Sequence, residues 1–147
     1  FQATDFDSTY INRSNVQNLK VLFPVHPRTK SILKDLNIKL NNIHFLDPLP
    51  YLEFNFLLKN SKCVITDSGG ITEEATYLNI PCMTLRDNTE RPETIEVGSN
   101  ELIGTNPEKI PAMLNKIFNN KWKKSSTPEL WDGKTAKRIV DHILKIK

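Results

Sequence analysis

At 147 residues, 38% apolar and 25% charged, this sequence is long and apolar enough to fold as one globular domain; it is neither a disordered tail nor a mini-protein that needs staples. A net charge of +3, with lysines scattered apart from small clusters at Lys121–Lys124 and Lys145–Lys147, argues against nucleic acid as a partner. Cys63 and Cys82 sit in apolar runs, where free cysteine behaves as a small hydrophobe; nothing suggests a disulfide framework or metal site, and a reducing, cytoplasmic compartment is expected; no apolar run reaches the ~20 residues that span a membrane, and no secretory signal is visible.

Residues 1–19 are polar, lack clean periodicity and stay unassigned. The chain begins Phe1-Gln2-Ala3, without methionine, which points to a piece of a longer protein. The domain proper is expected over 20–147. Val21 to Val25 reads as a short buried strand, and Thr29 to Leu36 as a helix with Ile32, Leu33 and Leu36 on one face. Asn42 to Leu46 is the second strand. Tyr51 to Lys59 is so dense in apolar residues that a helix buried on most sides is expected. Cys63 to Thr66 is the third strand, and Ile71 to Leu78 a helix with Ile71, Ala75 and Leu78 at i, i+4, i+7. Pro81 to Leu85 is the fourth strand, Pro92 can open a short helix, and Glu101 to Gly104 is the fifth strand. A helix from near residue 109 carries Ile110, Met113, Leu114, Ile117 and Phe118 at helical spacing. Residues 119–133 read as a loop with Trp122 and Trp131, and Thr135 to Lys147 as a last amphipathic helix.

Alternating strands and helices imply an α/β fold of Rossmann-like type, a parallel sheet with helices on both faces. Ligands of such sheets bind outside the carboxyl ends of the strands. Here those places follow Val25, Leu46, Thr66 and Leu85.

The most informative stretch is Asp67-Ser68-Gly69-Gly70, where a buried strand meets a helix start. Free N–H groups and the helix dipole favour an anion there, glycine lets a phosphate approach the backbone, and Ser68 adds a donor. A plain tight turn also uses glycine, so both readings stand. Glu73 and Glu74 suit the first turns of a helix for its dipole alone; Glu74 is also placed to accept hydrogen bonds from a ribose diol. Arg91, in Thr89-Glu90-Arg91-Pro92-Glu93, can clamp a phosphate or sit in a solvated loop of ion pairs. His26, after the first strand, can serve a phosphate or act as an acid or base, or be structural. His44 and His142 read as packing or surface residues, and the three histidines are not spaced as metal ligands. No dinucleotide fingerprint, phosphate-binding P-loop or nucleophile elbow is present, and no catalytic dyad stands out.

Val64 to Ala75, Val-Ile-Thr-Asp-Ser-Gly-Gly-Ile-Thr-Glu-Glu-Ala, resembles a signature of the non-hydrolysing UDP-N-acetylglucosamine 2-epimerases. Arg86 to Glu93 is similar to a second family segment, Phe23 to Thr29 to a third, and Asp47 to Phe54 to a fourth, in the family's order over residues 20 to about 118. The resemblance implies the C-terminal domain of a two-domain glycosyltransferase-B type fold. It implies that Ser68, Gly69 and Gly70 hold the diphosphate, Glu74 takes the ribose hydroxyls, Arg91 reaches the phosphates and sugar, and the segment around Phe54 meets the uracil. His26 matches a cleft histidine that, in some bacterial members, helps bind a second, regulatory UDP-sugar; here Pro27-Arg28 follows it, a departure.

The implied reaction interconverts UDP-N-acetylglucosamine and UDP-N-acetylmannosamine by eliminating and re-adding UDP, with no cofactor and no metal. The acids and bases that move the proton belong to the family's N-terminal domain, so this chain alone is expected to be inactive. The resemblance further implies that 135–147 crosses back to that domain, that a homodimer is an expected assembly, and that the product feeds cell-surface polysaccharide. A hydrolysing epimerase, a glycosyltransferase of the same architecture and a stand-alone nucleotide-sugar binding module are the alternatives.

Overall fold

The computed structural model describes residues 20–35 and 42–146. The expectations for 1–19, for Leu36 at the end of the first helix and for Lys147 lie outside the described residues. Among the described residues eleven elements follow in order: β1 (Val21–Pro24), α1 (Pro27–Asp35), β2 (Ile43–Leu46), α2 (Tyr51–Lys59), β3 (Val64–Thr66), α3 (Gly69–Tyr77), β4 (Cys82–Thr84), α4 (Glu93–Glu96), β5 (Asn100–Leu102), α5 (Lys109–Phe118) and α6 (Thr135–Ile143).

All strand pairs are parallel, as strand–helix alternation requires. They form two ladders, β1–β2 and β3–β4–β5. β4, at the centre of the second, is buried at every residue, the usual state of a parallel strand covered on both faces. Its alternating side chains serve two cores. Met83 joins Ile103 and the Ile110, Leu114 and Ile117 stripe of α5. Cys82 joins Leu58 of α2 and Ala75 of α3. Each of the leucine, isoleucine and methionine side chains contributes about 2 kcal/mol by burial.

Burial also pushes the Cys63 thiol up to about 11 and Cys82 up to about 12, so both stay protonated and neither is a nucleophile at neutral pH.

Two expectations are corrected here. α2 is not buried on most sides. Tyr51, Leu52 and Phe56 are 66%, 79% and 67% exposed, and only the Phe54–Leu58 stripe packs inward, because the helix touches the core on one side alone. β1 is not a buried strand either. Leu22 and Phe23 are exposed and only the following Val25 is buried, since β1 has β2 as a ladder neighbour on one edge.

The core also contains polar groups: five threonines, Ser99 and Asn100 are buried. They cluster along the β3–β4–β5 ladder and the helices that follow it. Gly104, after β5, has φ +71, and a Cβ there would lie 2.9 Å from Asp87 Oδ1. The loops after β4 and β5 therefore meet closely, and the positive φ favours glycine there, while the Asp87 carboxylate could swing aside.

Residues 119–133 have neither helix nor strand but are tied down. Trp122 Nε1 donates to the Ser99 carbonyl at 3.0 Å, Ser126 N–H to the Val97 carbonyl at 3.0 Å, and Lys123 Nζ to the Ile95 carbonyl. The expected loop is thus a strap over the α4–β5 connection, and it delivers Trp131 to the neighbourhood of α3. Asp132 then accepts the Lys134 N–H at 3.0 Å and pairs with Arg138 at the start of α6. α6 buries none of its residues, although Ile139, Val140 and Ile143 share a face. Among the described residues no helix is long and apolar enough to cross a membrane, and no cluster of three candidate metal ligands occurs.

Candidate functional site

The register of β3–β4–β5 sets Thr66, Thr84 and Leu102 side by side. Their carboxyl ends are level, so the loops that follow β3 and β4 start as neighbours. This brings together two stretches about 20 residues apart in sequence, Asp67–Glu74 and Arg86–Glu93.

Thr66, buried at the end of β3, accepts the Ser68 N–H on its Oγ1 at 3.1 Å and fixes the turn. Ser68 is extended (φ −85°, ψ 124°) and is the N-cap of α3, yet its hydroxyl makes no capping hydrogen bond. The helix then begins on Gly69 and Gly70, earlier than the sequence-based start at Ile71. The first N–H groups of any helix lack an intrahelical acceptor. Here Thr72 N–H, at 3.3 Å from the Ser68 carbonyl, is the first to find one, and Thr72 Oγ1 also donates to the Gly69 carbonyl at 2.6 Å.

Neither glycine is demanded by the fold. The positive φ values among glycines belong to Gly104 and Gly133. A Cβ on Gly69 would meet nothing within 4 Å, and one on Gly70 only Ser68 Oγ at 4.0 Å. Glycine therefore costs helix stability here without relieving strain or clash, which favours room for a ligand over a plain turn. Gly70→Ala is accordingly expected to raise stability, by up to about 1 kcal/mol. It is expected to weaken binding of a diphosphate nucleotide about tenfold, as the added methyl keeps a phosphate from the backbone. Thermal unfolding and calorimetric titration check the two opposed signs.

On the outer side of α3, Glu73 forms an ion pair with Arg91 Nε. Arg91 is held on its main chain as well: its N–H donates to Thr89 Oγ1 at 3.1 Å, and its carbonyl accepts Thr94 Oγ1 at 2.7 Å. Glu74 is half-buried, and burial first, then the adjacent Glu73, raise its carboxyl above the usual range. Tyr51 and Asn55 of α2, Glu73, Glu74 and Tyr77 of α3, Arg91 and Trp131 line a cavity of about 610 Å³. The glycine turn lies at the end of α3, beyond its lining.

Besides Ser68, Gly69 and Gly70, two more predicted residues stand apart from it. His26 is exposed at the carboxyl end of β1, where its carbonyl accepts the Lys30 N–H at 3.0 Å, and it does not line the cavity. Phe54 is half-buried, with its ring against the Leu58–Ala75–Cys82 core. Sequence reasoning missed Tyr51, Asn55, Tyr77 and Trp131. Tyr51 and Asn55 repeat at i, i+4, as do Glu73 and Tyr77, and that spacing was the available signal. Trp131 had none, because only the strap brings it there.

A family model described as UDP-N-acetylglucosamine 2-epimerase matches residues 8–144. This chain belongs to the UDP-N-acetylglucosamine 2-epimerase family. It is 49% identical over 129 residues to the UDP-N-acetylglucosamine 2-epimerase of Methanocaldococcus jannaschii, a match covering 82% of this chain and 34% of that protein. With the enzyme of the same name from Methanococcus maripaludis it shares 44% over 137 residues, 88% of this chain and 36% of that one.

Solved structures of the epimerase family agree. The M. jannaschii epimerase in complex with UDP-GlcNAc and UDP superposes with a TM-score of 0.74 at 41% identity, over 92% of this chain and 38% of that one. The Neisseria meningitidis epimerase bound to UDP-GlcNAc gives 0.73 at 30% identity, over 94% and 40%. The parallel α/β architecture expected from the sequence is the one these epimerases share. The chain spans about a third of the length of the curated relatives it matches.

Proposed function

We propose that this chain is the UDP-binding, C-terminal part of a non-hydrolysing UDP-N-acetylglucosamine 2-epimerase, with 20–147 as the domain. The observation that carries this is the open glycine turn at the head of α3, with Glu74 on that helix and Arg91 ion-paired to Glu73 beside it. The backbone N–H groups of Gly69 and Gly70 and the Ser68 hydroxyl donate to the diphosphate. Glu74 accepts the two ribose hydroxyls. Arg91 leaves Glu73 to reach the phosphates. The segment from Tyr51 to Asn55 flanks the base, with Phe54 contributing the part of its ring that the core leaves free. His26 stays near the cleft as a contact to substrate or to a second nucleotide.

In the proposed reaction the proton on C2 of the sugar is removed and the C1–O bond to UDP breaks, giving 2-acetamidoglucal and UDP. UDP then re-adds at C1 while a proton reaches the opposite face of C2. Negative charge grows on the departing diphosphate, and donors already fixed in place stabilise it most. This chain supplies those donors. The groups that move the C2 proton belong to the remaining two-thirds of the protein. The exposed apolar face of α6 suits a helix that crosses to that part, and the resemblance to the family supports reading the whole protein as a cytoplasmic homodimer.

Calorimetric titration of the chain with UDP, with UMP as control, tests the nucleotide site; UDP bound no better than UMP would refute a diphosphate site. Assay of the full-length protein for an epimerised UDP-sugar, against free N-acetylmannosamine, tests the reaction.

The raised Glu74 carboxyl sets the pH dependence. A raised folded-state pKa means Glu74 favours the fold at acid pH, and this contribution is lost as pH rises through the folded pKa. Ribose binding needs the ionised carboxylate, so UDP affinity is expected to fall as pH drops through the same region. Titrations across pH should show this acid limb in the wild type and a weakened one in Glu74→Gln, while the titration of UDP's own phosphate is common to both.

A further inference from the structure

The carbonyl of Arg91 ends a chain of hydrogen bonds that begins inside the sheet. Thr84, the last residue of β4, donates from Oγ1 to Asn100 Oδ1 at 2.6 Å. Asn100, the first residue of β5, donates from Nδ2 to Thr94 Oγ1 at 3.3 Å. Thr94 donates from Oγ1 to the Arg91 carbonyl at 2.7 Å. Thr84 is 2% exposed, and Asn100 and Thr94 are 0% exposed.

The direction of the chain matters. Because the Asn100 amide donates to Thr94, the Thr94 hydroxyl proton is free for Arg91. The first turn of α4 is already closed without that hydroxyl, since Thr94 N–H reaches the same Arg91 carbonyl at 3.1 Å. The hydroxyl bond is therefore an addition, and it links the turn to the most buried part of the molecule. α4 has only four residues and cannot hold its own geometry. Nor does the Arg91 side chain fix the loop, as it is 54% exposed.

We propose that Thr94 and Asn100 are positioning residues for Arg91: they pin its main chain to the β4–β5 edge so that the guanidinium meets a diphosphate at the head of α3. The inference rests on the reading of Arg91 as a phosphate-binding group. It assigns a purpose to buried polar groups in a core where apolar side chains of the same shape serve stability as well.

The test is calorimetric titration of the full chain with UDP for the wild type, Thr94→Val, Thr94→Ser, Arg91→Ala and the double variant Thr94→Val/Arg91→Ala, with thermal unfolding of each. Thr94→Val is expected to weaken UDP about tenfold, the scale of a misplaced contact. Thr94→Ser, which keeps the hydroxyl, is expected to stay within about twofold of wild type. If Thr94 acts through Arg91, Thr94→Val changes nothing further once Arg91 is alanine. Unchanged affinity in Thr94→Val, or the same loss in both backgrounds, would overturn the proposal. Thr94→Ala, which removes the hydroxyl without adding bulk, is read in the same way should Thr94→Val not fold. A folded wild type that does not bind UDP would overturn both this inference and the nucleotide site on which it rests.

Discussion

Arg91→Ala is expected to weaken UDP binding about 30-fold, the range of a lost charge-assisted contact to phosphate, while leaving thermal stability near wild type. The two halves of this result have separate causes. In the structure the guanidinium is more than half exposed and paired with Glu73. An exposed pair of that kind adds little to folding, so its loss costs the fold little. For the same reason Glu73 is a weak competitor for Arg91 when a diphosphate arrives. Arg91→Lys is expected to recover only part of the affinity, because an ammonium lacks the planar fork that matches phosphate oxygens. Calorimetric titration with UDP measures all three proteins, and equal affinity of Arg91→Ala and wild type would remove Arg91 from the site.

Gly98→Ala is expected to destabilise the fold by about 3 kcal/mol, the upper range for overpacking a filled site. A Cβ on Gly98 would lie 2.4 Å from Thr76 Cγ2, 2.6 Å from the Thr94 carbonyl and 2.7 Å from Thr76 Oγ1. Thr76 is 1% exposed, and Thr94 O is main chain, so neither neighbour can swing into solvent. Relief requires α3 and α4 to part, and α3 carries Glu73 and Glu74 while Arg91 lies just before α4. Urea unfolding should show a lower midpoint, and UDP affinity should fall with it. This effect is the reverse of the one expected at Gly70, where the methyl would meet only Ser68 Oγ, at 4.0 Å. Under the proposed function, glycine is needed by the fold at one position and by the ligand at the other.

That contrast bears on what could be read before the structure. The order of strands and helices was legible because each apolar run is short and bounded by polar or glycine residues, from Val21 to the stripe of α5. The start of α3 was set two residues late, since poor helix formers at Gly69 and Gly70 hide a helix that begins on them. Burial was the weaker inference. Apolar density in α2 and β1 predicted burial, but burial also requires a neighbour on each face, and Leu52, Phe56 and Leu22 have none within the described residues.

Of the site, the glycine turn, Glu74 and Arg91 were legible as local motifs. Their meeting depended on strand register, which the sequence does not state. The Thr84–Asn100–Thr94 chain had no sequence signal, because a polar residue in a strand looks the same whether it faces water or a partner. Trp131 was hidden for a different reason: its place is decided by where the strap is tied, at Ile95, Val97 and Ser99.

The bare head of α3 has a further consequence, for exchange with solvent deuterium. The amide protons of Gly69, Gly70 and Ile71 precede that of Thr72, the first in the helix to find an intrahelical acceptor, and the Ser68 hydroxyl does not cap them. Without an acceptor in the helix, they are expected to exchange among the fastest in the domain, while those of buried Cys82 and Met83 are expected to rank among the slowest. An anion seated on the turn would give them acceptors and slow that exchange. The same three amides would then serve as a built-in gauge of occupancy, readable residue by residue without labelling the nucleotide.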